Sequence, residues 1–393
     1  MTSKTTEWHP KEIIIHEKVK DDPITRHLLG QCSGIPIKYV STGDPKQIAR
    51  VSEVMSQSNG SLLDKVLSGK KVVYISPATD AVDTFTMPDD RMVCPHFERL
   101  KLESNGCFYQ CDWCYLKLTY RGVRPFITIK VQYDRIKEQL RGRLNQSREP
   151  VIFNSGELAD SLSMEHLTRA GREFIPWFGQ TENGYLYMLT KSDNVDTILD
   201  LPHNGHTIVA WSLNDPEVSK TFEIGAPSFE RRLGAAKKVQ DAGYPVRIRL
   251  DPIVPIQGWQ EKYLETIKRI FETISPGSVT IGTLRFEEAF YKMHNTFLQS
   301  QELAKIVNGM EPMFLPKLFP GAKRPKSGKF SFSEERRVEM FSFAIGEIRK
   351  YSNSPIALCK ESAAVWERVG LPLSECGCAC QLRPVDMIST KIL

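Results

Sequence analysis

The stretch Cys107-Phe108-Tyr109-Gln110-Cys111-Asp112-Trp113-Cys114-Tyr115 spaces three cysteines as C-x3-C-x2-C. Three thiolates around a short loop can ligate three irons of a [4Fe-4S] cluster and leave the fourth iron open to a ligand that is not protein, and an open iron is a place for chemistry. Structural zinc sites usually close all four positions with paired C-x2-C units. No fourth ligand is obvious here, since Cys94 lies 13 residues back. Two other places carry suitable groups. In Asn154-Ser155-Gly156-Glu157 a glycine lets the backbone approach a ligand closely, and the carboxylate one residue on suits an ammonium group. Arg247, Arg249 and Asp251 alternate along an apolar run and so share one face, where Arg249 or Asp251 pointing inward would line a cavity.

Cys359, Cys376, Cys378 and Cys380 form a second group of four thiols, the number that closes another Fe–S cluster or a zinc site. C-x-C-x-C is tight, because alternate side chains of an extended segment stand roughly 6.5–7 Å apart, and turns at Gly377 would be needed to converge them. The same thiols could instead stay free for redox work or hydrogen donation. Cys32 and Cys94 are isolated and read as structural.

The elements that would position these groups alternate between strand and helix. Residues 100–104, 151–154, 185–189, 207–213, 246–250 and 278–283 are short apolar runs. Amphipathic stretches over 132–144, 164–175, 229–242 and 260–274 lie between most of them. In the third stretch Phe229, Leu233, Ala236 and Val239 make one helical face, closed by Gly243. Six strands with crossovers between them predict an α/β fold, a partial parallel (β/α)6 barrel in which reactive groups collect at the C-terminal strand ends. We expect a small N-terminal α/β region over 1–92, the barrel over 93–290 and a C-terminal extension over 291–393. In the extension, Lys317, Lys323, Arg324, Lys326 and Lys329 interleave with Phe314, Phe319, Phe330 and Phe332. They read either as a loop that grips phosphate while rings stack on bases or as a solvated basic loop.

A chain of 393 residues can bury a full core, and its 41% hydrophobic and 25% charged residues are ordinary for a globular protein. No apolar run approaches the roughly 18 residues of a membrane span, and the first residues lack a signal-peptide core, so we expect a cytoplasmic protein with no membrane partner. Nine cysteines clustered rather than paired argue for metal in a reducing compartment. A net charge of +5 is compatible with a polyanionic partner without requiring one.

The cysteine triplet is the signature of the radical S-adenosylmethionine (SAM) superfamily. Over residues of about 10 to 300 the chain resembles the spore photoproduct lyase family of DNA repair enzymes. The resemblance rests on the Cys107/Cys111/Cys114 loop with Tyr115-Leu116, on Leu189-Thr190-Lys191, His203-Asn204-Gly205, Trp211-Ser212-Leu213-Asn214 and Ala242-Gly243-Tyr244-Pro245, and on Pro252-Ile253 with Gly258-Trp259. It implies that SAM binds the open iron through its methionine amino and carboxylate groups. It also implies that an electron from a reductant such as flavodoxin or ferredoxin cleaves the sulfonium to a 5′-deoxyadenosyl radical, which takes hydrogen from the substrate.

Ser155, Gly156 and Glu157 look like the superfamily's Gly-Gly-Glu element, with Ser155 for the first glycine. Lys191, Ser212 and Asn214 match positions that contact SAM in the photoproduct lyases, and Arg249 is a further candidate. Trp113 and Tyr115 would shield the cluster. The chain departs from the family at Glu157, where the lyases carry a cysteine that returns a hydrogen atom to the product radical. A carboxylic O–H bond is too strong for that task. Tyr115 remains as a residue able to pass hydrogen atoms, and Cys359 is a candidate replacement donor at the barrel mouth. The implied substrate is a nucleic acid lesion or modified base. Loss of the donor cysteine keeps open a small metabolite, nucleoside or peptide.

Overall fold

The computed structural model describes residues 7–44, 47–48, 50–51, 53, 60–86, 93, 96–119, 125–314 and 328–373. Its strands in chain order are β1 (Glu12–His16), β2 (Ile37–Val40), β3 (Val72–Ser76), β4 (Val82–Thr86), β5 (His96–Leu100), β6 (Glu103–Ser104), β7 (Ile127–Lys130) and β8 (Val151–Asn154). They continue with β9 (Gly184–Thr190), β10 (Thr207–Ser212), β11 (Val246–Ile253), β12 (Ser278–Thr283), β13 (Arg285–Glu287), β14 (Glu311–Phe314), β15 (Lys329–Ser331) and β16 (Ile356–Leu358).

The main sheet has eight strands in the order β16-β12-β11-β10-β9-β8-β5-β4. Every neighbouring pair is parallel except β4–β5 at the edge. A parallel sheet is covered on both faces, and β10 and β12 are accordingly buried along their whole length. The sheet curls into a half-barrel. One side packs on the crossover helices; the other holds Ile152, Tyr185, Tyr187, Ile208 and Ala210, with the Arg247 guanidinium 5.7 Å over the Tyr187 ring.

The crossovers follow the sequence pattern closely. The helix Phe229–Asp241 buries Phe229, Leu233, Ala236 and Val239, starts at Ser228, whose hydroxyl accepts from Arg231 N, and is followed by Gly243 at φ +88°. Helices Tyr133–Leu144 and Trp259–Thr273 lie where amphipathic spacing placed them, while the stretch expected over 164–175 is broken at Arg169, φ +52°, into Glu165–Thr168 and a helix Ala170–Gly179 that runs four residues further. The six expected parallel strands are present, with one displacement. The first runs over His96–Leu100, not 100–104, because the chain leaves the sheet after Leu100 and Glu103–Ser104 pairs antiparallel with β7 instead.

A second, five-stranded sheet has the order β2-β1-β3-β7-β6, so strands from beyond residue 92 complete it, while β4, from before residue 92, edges the barrel. Sequence reading also missed β16, a seventh parallel strand of three residues, too short to show a period.

The basic loop needs the main correction. Lys329, Phe330 and Phe332 are not on a solvated stacking surface: β15 pairs with β13 and β14, Phe332 is core, Lys329 is buried, and Phe330 stacks on Tyr291 at 3.9 Å. Lys317, Phe319, Lys323, Arg324 and Lys326 lie outside the described residues. Among the described residues, no helix is long and apolar enough to cross a membrane.

Trp211 in β10 is fully buried, and its indole Nε1 donates to Ser192 O at 3.0 Å across the sheet. Trp211→Ala removes both the volume and that bond, and is expected to lower stability by about 3–5 kcal/mol, read as the shift in a denaturant unfolding curve.

Candidate active site

The cysteine loop has almost no regular structure of its own and is held from several directions. Gln110 N and Asp112 N donate to Ile224 O and Phe222 O at 2.8 Å each, and Gly106 N donates to Leu158 O at 3.2 Å. Lys70, buried at the end of the helix Leu62–Gly69, donates from Nζ to Cys107 O (2.8 Å) and Tyr109 O (3.1 Å). The buried Asp112 carboxylate accepts from the backbone of Gln299 and Ser300 at 3.2 Å each and faces Lys117 Nζ at 3.5 Å. Trp8 stacks on Phe108 at 4.7 Å, and Trp113 packs on Phe222.

All three thiols line one cavity of about 510 Å³ at the C-terminal strand ends. Burial pushes Cys107 well above the usual thiol range and Cys111 up to about 12, with Lys70 and Lys191 respectively opposing the shift. A thiolate in so dry a place is stable when bonded to a metal. Among the described residues no three His, Cys, Asp or Glu side chains converge on a single point as one ion would require. A cubane cluster asks for less, because its protein ligands sit on different irons.

Past β8, Asn154 Oδ1 accepts from Gly156 N at 2.8 Å and turns the chain over the cavity. Gly156 passes so close to β9 that a Cβ there would meet Leu189 Cβ at 2.5 Å and Leu189 O at 2.7 Å. Asp160 then ties the strand ends together, accepting from Leu162 N, Ser163 N, the Thr190 hydroxyl (2.6 Å) and Lys191 N (2.6 Å). The Lys191 ammonium lies 3.6 Å from Glu223, which also pairs with the buried Arg232.

Gly156, Glu157, Lys191, Ser212, Arg249, Tyr115 and Cys359 all line the cavity with the three thiols. The Tyr115 hydroxyl donates to Glu157 O. Two expected contacts face elsewhere. Ser155 Oγ is buried against Ser161 Oγ (2.8 Å) and Tyr187 O (3.3 Å). Asn214 donates to Pro252 O (2.8 Å) and accepts from Tyr263 Oη (2.5 Å), so its amide is spent on the framework. Cys94, Cys376, Cys378 and Cys380 lie outside the described residues.

Cys359 directly follows β16, with its Sγ 3.0 Å from Arg249 Nη2. Asp251 bridges Arg249 (2.7 Å) and Arg285 (3.0 Å). Against the cost of burial, these two guanidiniums hold the Asp251 carboxyl well below the usual carboxylate range. Sequence reasoning offered Arg249 or Asp251 as lining the cavity from their alternation, and both line it. It missed Lys70, a lone lysine after a helix, and Arg285 and Lys360, which reach the cavity from the short strand β13 and from the turn after β16; Lys329, named only as part of a basic loop, reaches the cavity from β15.

A half-open parallel barrel that gathers three thiols of a C-x3-C-x2-C loop and a glycine-carboxylate turn at its strand ends defines a radical SAM protein, a class whose cofactors are SAM and a [4Fe-4S] cluster. Residues 98–304 match the family model "Spore photoproduct lyase". The chain belongs to the spore photoproduct lyase family.

It is 25% identical over 361 residues to the spore photoproduct lyase of Clostridium acetobutylicum, covering 87% of this chain and 96% of that one. It is 34% identical over 186 residues to that of Geobacillus sp. (strain Y412MC61), covering 47% of this chain. That alignment spans 53% of the Geobacillus protein, about half its length. Among solved structures, spore photoproduct lyase complexed with dinucleoside spore photoproduct superposes with a TM-score of 0.74 at 23% identity, covering 90% of this chain and 98% of that one. A mutant with bound AdoMet and the same dinucleoside gives 0.73 at 22% identity, with the same coverage of both chains.

Gly156→Ala must push the loop off Leu189. We expect SAM affinity to fall at least about tenfold, measured by equilibrium dialysis on anaerobically reconstituted protein, with the iron content unchanged.

Proposed function

We propose that this chain is a radical SAM enzyme of the photoproduct-lyase type, which starts a reaction on a nucleic acid lesion or modified base by hydrogen abstraction. The observation that carries the reading is the single cavity joining the three thiols to Gly156, Glu157, Lys191 and Ser212. Cys107, Cys111 and Cys114 would hold three irons of the cluster. When bound, the cluster and SAM supply a carbon-centred oxidant strong enough to take hydrogen from unactivated carbon.

The Glu157 carboxylate suits the ammonium of SAM, Lys191 its carboxylate, and Ser212 its amino group or ribose. Ser155 and Asn214 would act one layer out, keeping the strand ends in place. The electron requires an external reductant such as flavodoxin or ferredoxin, and a reducing, cytoplasmic setting fits nine clustered cysteines. The leading sheet serves as scaffold around the barrel, while the C-terminal extension also brings Lys329, Cys359 and Lys360 to the cavity.

Cys359 reads better as a cavity thiol than as a ligand of a second cluster or zinc, because Arg249 already contacts its sulfur and it lines the same cavity as the first three thiols. Its weak S–H bond can break homolytically, the hydrogen joining a substrate carbon radical and the unpaired electron staying on Sγ. Tyr115, bonded to the Glu157 carbonyl, could relay a hydrogen atom from the β8 side of the mouth. Loss of the family's donor at Glu157 favours one further reading with a different substrate, a nucleoside, metabolite or peptide, processed by the same radical start.

Anaerobic incubation with SAM and dithionite should yield 5′-deoxyadenosine from the wild-type chain and none from Cys111→Ala; a silent wild type rejects the enzyme reading. Cys359→Ser is expected to keep SAM cleavage within about threefold while reducing closed-shell product from a lesion substrate at least about a hundredfold. Product formation at the wild-type rate by Cys359→Ser would exclude the thiol as donor.

A further inference from the structure

The end of the cavity formed by β11, β13, β15 and β16 carries more positive charge than its neighbours balance. Arg249, Arg285, Lys329 and Lys360 line it, against the carboxylates of Asp251 and Glu287; the buried Glu361 behind them also faces Arg285 but is paired with Arg337 at 3.1 Å. Asp251 has both oxygens committed, one shared by Arg249 and Arg285 and the other held by Arg285. Glu287 stands 3.4 Å from Lys329 Nζ, and its side chain is 46% exposed, so much of its charge is screened by water.

Lys329 itself is buried, and burial beside Lys360 pulls its ammonium down to about 8, with Arg285 pushing the same way and Glu287 opposing. Lys360 follows Cys359 with a left-handed backbone, φ +55°, which a residue with a Cβ adopts only under constraint from its surroundings. Among the described residues no carboxylate forms an ion pair with it.

We propose that Arg285, Lys329 and Lys360 form a phosphate subsite for a nucleotide-type substrate, next to the Cys359 thiol and distinct from the SAM end of the cavity. The inference rests on the nucleic-acid reading above and narrows it to substrates that carry their phosphate into the pocket. Two ammoniums, with the charge of Arg285 behind them, whose terminal nitrogens bond Thr283 O and Asp251, suit a group with several charged oxygens better than a single carboxylate. Phe286 and Phe290, stacked at 4.9 Å beside this end of the cavity, supply an apolar wall next to the cations. The solved relatives named above hold a dinucleoside, which has no phosphate to offer such a site.

The test is calorimetric titration of the full, anaerobically reconstituted chain in phosphate-free buffer at fixed chloride. Four ligands are compared: dinucleoside spore photoproduct, the same lesion joined by its phosphodiester, a nucleoside 5′-monophosphate, and inorganic phosphate. The diester lesion should bind at least about tenfold more tightly than the dinucleoside. Lys329→Met with Lys360→Met should erase that advantage while leaving dinucleoside affinity unchanged, and inorganic phosphate should compete in wild type only. The monophosphate arm separates a site for a terminal monoester from one for a strand diester: tighter binding of the monoester assigns the subsite to free nucleotides.

Equal affinity for the two lesions in wild type, or an advantage that survives the double variant, overturns the proposal. Lys360→Met alone, on the segment after β16, serves where the double variant fails to match the wild-type circular dichroism and iron content. If neither lesion binds, the lesion reading fails, and inorganic phosphate alone decides: an isotherm present in wild type and lost in the variant upholds the subsite, and its absence removes it.

Discussion

Two buried charges clamp the cysteine loop, and the rest of the site depends on them. Lys70 reaches from the leading region to two loop carbonyls, and Asp112 reaches from the loop to the backbone ahead of the helix Gln301–Asn308. A segment with little helix or ladder of its own must find partners for its polar backbone elsewhere. Burying an ammonium or a carboxylate is costly unless its hydrogen bonds are made, so these contacts are favourable only with the loop in its folded position. Leading region, barrel and extension are therefore interlocked at the loop, as they are in the sheets, where β4 and β16 edge the barrel sheet and β6 and β7 complete the leading one.

The same interlocking organises the cavity's charge. Beside the thiols, the Asp160 carboxylate is satisfied by four hydrogen bonds, two from the backbone of Leu162 and Ser163 in the segment after β8 and two from Thr190 and Lys191 at the end of β9. At the far end the cations exceed the carboxylates, with Asp251 shared between two arginines. A low-dielectric pocket strengthens both arrangements relative to water. On the proposed reading, a zwitterionic cofactor head would lie at one end and an anion at the other.

Much of this was legible in the residues. The thiol spacing, the Gly156-Glu157 turn and the alternation of Arg249 with Asp251 each encode local geometry, and the long amphipathic helices encode their buried faces through a period that runs for three or four turns. What escaped depends on distance in sequence. Strand β16 is three residues long and is recruited to β12 from about 75 positions away, so no local pattern announces it. Lys329, Phe330 and Phe332 looked like a basic aromatic loop because composition does not tell a solvated segment from a short strand whose partners are remote. Ser155 and Asn214 occupy motif positions, yet their side chains turn into the framework, since a motif fixes the backbone path and packing fixes the rotamer.

The placement of Cys359 has a geometric consequence. Glu157 follows β8 and Cys359 follows β16, and β9, β10, β11 and β12 lie between them in the sheet. In a curled sheet those strand ends stand on different walls of one mouth, and both residues line it. A hydrogen donor after β16 therefore approaches a bound substrate from another side than a donor after β8 would. The carbon it can reach, or the face of that carbon, must differ unless the substrate is turned in the pocket. On the proposed reading the cations around Cys359 would turn it, because an anionic group anchored at Lys329 and Lys360 would draw the adjoining part of the substrate toward the β16 wall. Loss of a thiol at one strand end, presence of a thiol at another, and positive charge beside the second thus read as one rearrangement of how the substrate lies in the pocket.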